Sequence, residues 1–190
     1  MANHAVTIPR RATYEDYLKF PEDGLRYELL DGEIFMTPAP SVPHQYTSKR
    51  LQRLLEAYFE GPRGCLVLDA PVDVILADAD VVQPDLVVVA EGPQITARGI
   101  EGAPLVLIEL LSPSRPDYDR LTKSRRYAAR GVPHYWIADP DKHTLECFTL
   151  EGDSYRLDAA AAGSETLAVP AFDGLRISLD GLWFRSLPSR

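Results

Sequence analysis

The chain has 190 residues, with 45% hydrophobic and 25% charged side chains, the composition of one ordinary globular domain, which excludes an intrinsically disordered protein. A fold of this size buries roughly 70% of its unfolded surface, so any metal it takes serves chemistry rather than folding. The formal net charge of -8 argues against bulk binding of polyanions.

Residues 1–12 are polar and aperiodic and carry Arg10 and Arg11, so they read as a flexible arm ahead of a single domain over 13–190. Thr13 and Asp16 resemble a capping box, opening a short helix through Tyr14, Tyr17 and Leu18 that stops before Pro21. Residues 26–30 and 33–36 flank Asp31-Gly32, the dipeptide that suits a type I′ hairpin turn. After a proline-rich loop over 37–43, His44, Thr47, Ser48, Leu51, Leu54, Leu55 and Tyr58 recur at helical spacing, with Gly61 as the stop. Strands follow at 65–68 and 72–76, then a turn through Asp78 and Asp80, then 85–90 with four consecutive apolar residues. A loop bearing Gly and Pro leads to a buried strand at 105–111, and Ser114 with Asp117 caps a helix ending before Gly131. A strand at 134–138, a hairpin of 144–150 with 155–157, and a closing segment around Trp183 complete the chain. The class is α/β, with a mixed central sheet and helices on its faces. No apolar run is long enough to span a bilayer. Cys65 and Cys147 are expected as reduced thiols in a cytoplasmic protein.

Glu109 lies inside the apolar strand 105–111, where an uncompensated carboxylate costs several kcal/mol. It either sits at the strand's open end, pairs with an arginine, or binds a cation. Asp85 precedes the apolar run 86–89 and is either a turn residue after Pro84 or a partner for Glu109. The two are separated by one strand and one loop, so both can meet at one sheet edge, where such a pair repels itself without a cation. Two hard oxygen ligands suit Mg²⁺ or Mn²⁺, and the histidines show no metal-ligand spacing. Lys123, with Arg120, Tyr127 and Arg130 at i-3, i+4 and i+7, forms a polar stripe opposite Leu121 and Ala128. A lysine there either orients a water or neutralises a transition state, or is simply exposed. Glu28 alternates with Tyr27 and Leu29, which on alternation alone makes it a solvent-facing residue. From 115 to 130, six basic side chains stand against Asp117 and Asp119, which fits a locally gripped anionic substrate and equally a solvated helix face.

Five fragments in order carry a resemblance: Tyr27-Glu-Leu-Leu-Asp-Gly-Glu33, Gln83-Pro-Asp-Leu86, Ile108-Glu-Leu-Leu-Ser-Pro-Ser114, Asp119-Arg-Leu-Thr-Lys123 and Gly131-Val-Pro-His-Tyr-Trp-Ile-Ala-Asp-Pro140. Over about residues 13–183 the chain resembles the Uma-two family of the PD-(D/E)XK nuclease superfamily. The resemblance implies a restriction-endonuclease-like fold, with an added N-terminal hairpin and C-terminal hairpin, and a Mg²⁺-dependent endonuclease acting on DNA. It makes Asp85 and Glu109 metal ligands, with the Leu110 carbonyl as a further ligand and Glu28 as the acid of the first conserved element. The superfamily pattern wants lysine two residues after Glu109, where Leu111 stands, and the replacement implied is Lys123 from the following helix. Gln83, Tyr127, Arg120 and His44 would contact substrate, although His44 on an apolar face also reads as a core or capping residue. Family habit implies a homodimer through 72–76 or the Trp183 segment. The alternative function is a catalytically silent nuclease-fold module that binds nucleic acid or a protein partner.

Overall fold

The computed structural model describes residues 11–21, 23–37, 39–112 and 118–185, the side chains of Tyr118 and Asp119 excepted. The expected cap at Ser114 and Asp117, and residues 1–10 of the expected arm, lie outside the described residues. Ala12 is buried and its N–H donates to the Gly32 carbonyl at 2.9 Å.

Helix α1 (Tyr14–Tyr17) is closed by Asp16, whose Oδ2 accepts from the N–H and the hydroxyl of Thr13, both at 3.1 Å. The hairpin of β1 (Arg26–Leu30) and β2 (Glu33–Thr37) turns through Asp31 and Gly32 at φ of 53° and 75°, the left-handed pair that a type I′ turn needs. Helix α2 (Val42–Phe59) starts two residues before His44, because Ser41 accepts from the His44 N–H at 3.3 Å and Pro43 is tolerated in a first turn. Strands β3 (Cys65–Asp69), β4 (Val74–Ala77), β5 (Asp80–Val82), β6 (Leu86–Ala90), β7 (Ile95–Thr96), β8 (Gly99–Glu101) and β9 (Val106–Leu110) follow. A π-helical turn, Tyr118–Lys123, runs into α3 (Ser124–Ala129), and β10 (His134–Asp139), β11 (Thr144–Glu151), β12 (Ser154–Ala162), β13 (Thr166–Ala168) and β14 (Arg176–Ser178) end the fold.

The expected mixed architecture holds, but among the described residues it is built from two six-stranded sheets and the small pair β13-β14 rather than from one central sheet. The first has the order β2-β1-β5-β4-β8-β7 and the second β12-β11-β10-β9-β6-β3, with one parallel pair in each. The two hairpins expected as additions are therefore edges of these sheets. Strands β6, β9 and β10 are buried on both faces and alternate strictly between two cores. Leu86, Val88, Val106, Ile108, Leu110, Trp136 and Ala138 pack with Leu51, Leu55 and Phe59 of α2. Val87, Val89, Leu107, Leu111, Tyr135 and Ile137 face the other way, toward Leu30 of the first sheet and Tyr127 of α3. In the two segments named for a dimer contact, Val74 and Ile75 are buried in the interior strand β4 and Trp183 is buried in the α2 core, while Val72 and Leu76 are half-buried.

The basic segment is also not the free face its charge suggests. Asp80, fully buried, accepts from the Asp31 N–H (2.8 Å) and Arg126 Nε (2.6 Å) on one oxygen and from Arg130 (2.7 Å) on the other. Arg126 also reaches Asp31 at 2.6 Å. These bonds clamp α3 onto the hairpin turn of the first sheet. Asp80→Asn puts an amide N–H₂ against an arginine and is expected to lower the unfolding free energy by about 2 kcal/mol in urea titration. An unchanged midpoint would remove the clamp from the account.

Candidate active site

Side-chain alternation brings the central carboxylates together. Glu109 shares its strand face with Leu107 and Leu111, and Glu28 shares its face with Leu30, so both turn into the layer between the two sheets. That is why Glu28 is 1% exposed, contrary to the expectation from alternation alone. Its strand is covered on both sides, since Leu29 packs with Tyr14, Tyr17 and Val81 on the opposite face. Lys123, 4% exposed, stands between the two acids: its Nζ donates to Glu109 Oε1 at 2.9 Å and to Glu28 Oε1 at 3.1 Å. Tyr127, one helical turn on, donates its hydroxyl to the same Glu109 oxygen at 2.7 Å. Burial, reinforced by the charges of Glu109 and Glu28, raises the Tyr127 phenol well above its ordinary pKa, so it stays protonated and remains a donor. Glu28 Oε1 also accepts the Gln83 N–H at 2.9 Å.

Asp85 stands immediately before β6. The antiparallel register pairs Leu86 with Ile108, and continued by one residue it sets Asp85 opposite Glu109. Asp85 Oδ2 accepts the Leu110 N–H at 2.8 Å and contacts His44 Nε2 at 3.1 Å, while Oδ1 lies 3.6 Å from Arg26. Burial pushes the Asp85 carboxyl up, but the His44 contact, the Leu110 N–H and Arg26 outweigh it and hold it below the usual carboxylate value. His44 thus does two things, helping to cap α2 through its N–H and meeting Asp85 through its ring. Arg26 also donates to the Gln83 carbonyl. The Gln83 side chain turns away to Asp73 (2.8 Å) and Tyr17 (3.2 Å), which leaves its main chain as the part that meets the site.

The nine residues named from the sequence divide clearly. Glu28, Glu109, Lys123 and Tyr127 form one hydrogen-bonded cluster, and Asp85, His44 and Leu110 form a second beside it. Gln83 joins the two through its backbone: its N–H donates to Glu28, and its carbonyl accepts from Arg26, which lies beside Asp85. Arg120 belongs to neither: its guanidinium is paired with Glu146 of β11 at 2.6 Å. The stripe through Arg120, Lys123, Tyr127 and Arg130 fails as one face because the π-helical turn changes the spacing, and because Ala128 is buried while Leu121 is exposed. The sequence reading missed Arg26 and Lys49, which line a cleft of about 200 Å³ together with His44, Asp69 and Asp85. Arg26 lies four residues from the hairpin turn, and Lys49 lies one turn beyond His44 on α2; neither gave a local signal beyond its charge.

The donor set fits a hard divalent cation. Asp85 and Glu109 are buried carboxylates from the ends of neighbouring strands, and two carboxylates with water in the remaining positions suffice for Mg²⁺. Among the described residues no three His, Cys, Asp or Glu side chains converge as a ready-made cage, since Lys123 occupies the space between the glutamates.

A family profile, Uma2, described as "Putative restriction endonuclease", matches residues 14–180. The chain is similar to a solved structure from Anabaena variabilis ATCC 29413 described as "a putative nuclease belonging to DUF820". The TM-score is 0.72 at 20% identity, covering 90% of this chain and 97% of the other, a likeness of fold. No curated protein matches the chain. No helix among the described residues is long and apolar enough to cross a membrane.

Proposed function

The chain belongs to the Uma2 family of restriction-endonuclease-like nucleases, and from that premise we propose that it is a divalent-metal-dependent endonuclease that hydrolyses DNA phosphodiester bonds. The observation that carries this reading is the burial of Glu28 and Glu109 around one ammonium, with Asp85 on the neighbouring strand. Asp85 and Glu109, with Glu28 and the Leu110 carbonyl, would hold Mg²⁺ or Mn²⁺. A bound ion of this kind lowers the pKa of a water and stabilises charge on the phosphoryl oxygens.

The protein's own groups do the rest. Tyr127 fixes the rotamer of Glu109, and Gln83 fixes that of Glu28 through its backbone. Lys123 carries a buried positive charge one turn from Tyr127, where it orients the attacking water and neutralises charge developing on the phosphate. It does so from a helix, whereas the superfamily pattern draws the same charge from the strand, where Leu111 fills the apolar layer instead.

The test is nicking of supercoiled plasmid by the purified protein with Mg²⁺ or Mn²⁺ against chelated controls. Metal-dependent conversion to the open circle is expected. Plasmid that stays intact while the protein binds it would replace this reading with that of a silent nuclease-fold module.

A further inference from the structure

The sequence assigns the grip on substrate to the basic segment 115–130, yet three of the arginines described there are engaged within the fold, Arg126 and Arg130 with Asp80 and Arg120 with Glu146, and Arg125, which is exposed, does not line the cleft beside Asp85. The cleft beside Asp85 has a different lining. Helix α2 buries Thr47, Leu51, Leu55 and Phe59 at helical spacing. Its next face, a stripe of Gln45, Ser48, Lys49 and Gln52 at i, i+3, i+4 and i+7, lines that cleft. Arg26 and His44 stand in the same wall, and each has a buried ring or guanidinium nitrogen, Arg26 Nε and His44 Nδ1, with no hydrogen-bond partner. A buried arginine N–H without an acceptor is a costly group to leave unmade.

We infer that the polar face of α2, through Lys49 with Ser48, Gln45 and Gln52, binds the phosphodiester backbone of the DNA strand presented to Asp85, with Arg26 meeting the same strand at the cleft wall. This inference rests on the nuclease reading for its substrate and names the surface that holds it. The lining also includes Asp69 and Asp85, so its charges nearly cancel and the grip is local: one ammonium and a row of neutral hydrogen-bonding groups. Such a surface suits an acidic protein, because it takes hold of one phosphate at a time without a large positive field. Lys49 is exposed, and among the described residues it has no ion pair. It is therefore available to a phosphate in a way that Arg126 and Arg130 are not.

The test is fluorescence anisotropy with a labelled DNA duplex over about 50 to 200 mM salt, alongside plasmid nicking, for Lys49→Ala, Lys49→Arg and Arg50→Ala. Arg50 is the control, since it lies over the Tyr46 ring and not in the cleft wall. Lys49→Ala should weaken binding and raise KM about tenfold, leave kcat nearly unchanged, and reduce the slope of log affinity against log salt by about one. Lys49→Arg should restore most of the loss, and Arg50→Ala should behave as wild type. Wild-type affinity in Lys49→Ala, or an equal loss in Arg50→Ala, would overturn the assignment even if plasmid is cut. A wild-type protein that binds through Lys49 but does not cut would keep the assignment and defeat the nuclease reading. Absence of any DNA binding would defeat both.

Discussion

Glu109→Gln is expected to reduce plasmid cleavage by at least about a thousandfold while leaving the protein folded, a loss of the size seen when one charged group that acts on the transition state is removed. Glutamine has the same shape, and its Oε1 can still accept from Tyr127 and Lys123, as Glu109 Oε1 does now. What disappears is the anionic oxygen that a divalent ion requires. The expected cost in stability is therefore about 1 kcal/mol, from weaker hydrogen bonds to a neutral acceptor. Single-turnover nicking and thermal denaturation monitored by circular dichroism read the two effects separately. A variant that cuts at the wild-type rate would take Glu109 out of the mechanism.

Lys123→Met should have the second large effect, and it should appear in both rate and stability. Methionine keeps most of the stem's volume but removes the ammonium shared by Glu28 and Glu109, side chains 2% and 4% exposed. Truncating one partner of a buried ion cluster typically costs about 3 to 5 kcal/mol, because the remaining charge is left in a poor solvent. Cleavage should fall by about a hundredfold or more in the same variant. Folding and catalysis can be separated by adding Glu28→Gln: the double variant should regain much of the lost stability, since one uncompensated carboxylate has gone, without regaining cleavage. Stability near wild type in the single variant would mean that the ammonium is not what balances these acids. Cleavage near wild type in either variant would remove Lys123 from the chemistry.

The sequence and the structure agree where the physics is local. The turn at Asp31-Gly32, the strands 86–89 and 106–110, and the long helix with its Leu51 and Leu55 face were legible because backbone preference and hydrophobic period point the same way. Glu109 was legible for the opposite reason, as a charge in a place where charge is expensive. Glu28 was not, since alternation assumes one wet face, and β1 has none: a second sheet and α3 lie over the side that would otherwise meet water. Strands β5, β7 and β8 escaped notice because they are two or three residues long and owe their existence to neighbours distant in sequence. The basic segment misled in the same way. Its charge was visible, but the acids that consume it, Asp80 and Glu146, are tens of residues away and are brought close only by the fold.

The central claim is that Asp85 and Glu109 hold a divalent ion that makes this fold a nuclease. Its most direct test is calorimetric titration of Mn²⁺ and Mg²⁺ into the wild-type protein and Asp85→Ala, with the same samples assayed against supercoiled plasmid. The account predicts metal uptake and nicking in the wild type, both lost together in Asp85→Ala. Absence of uptake at millimolar metal in the wild type, or uptake and nicking that survive in Asp85→Ala, would contradict it.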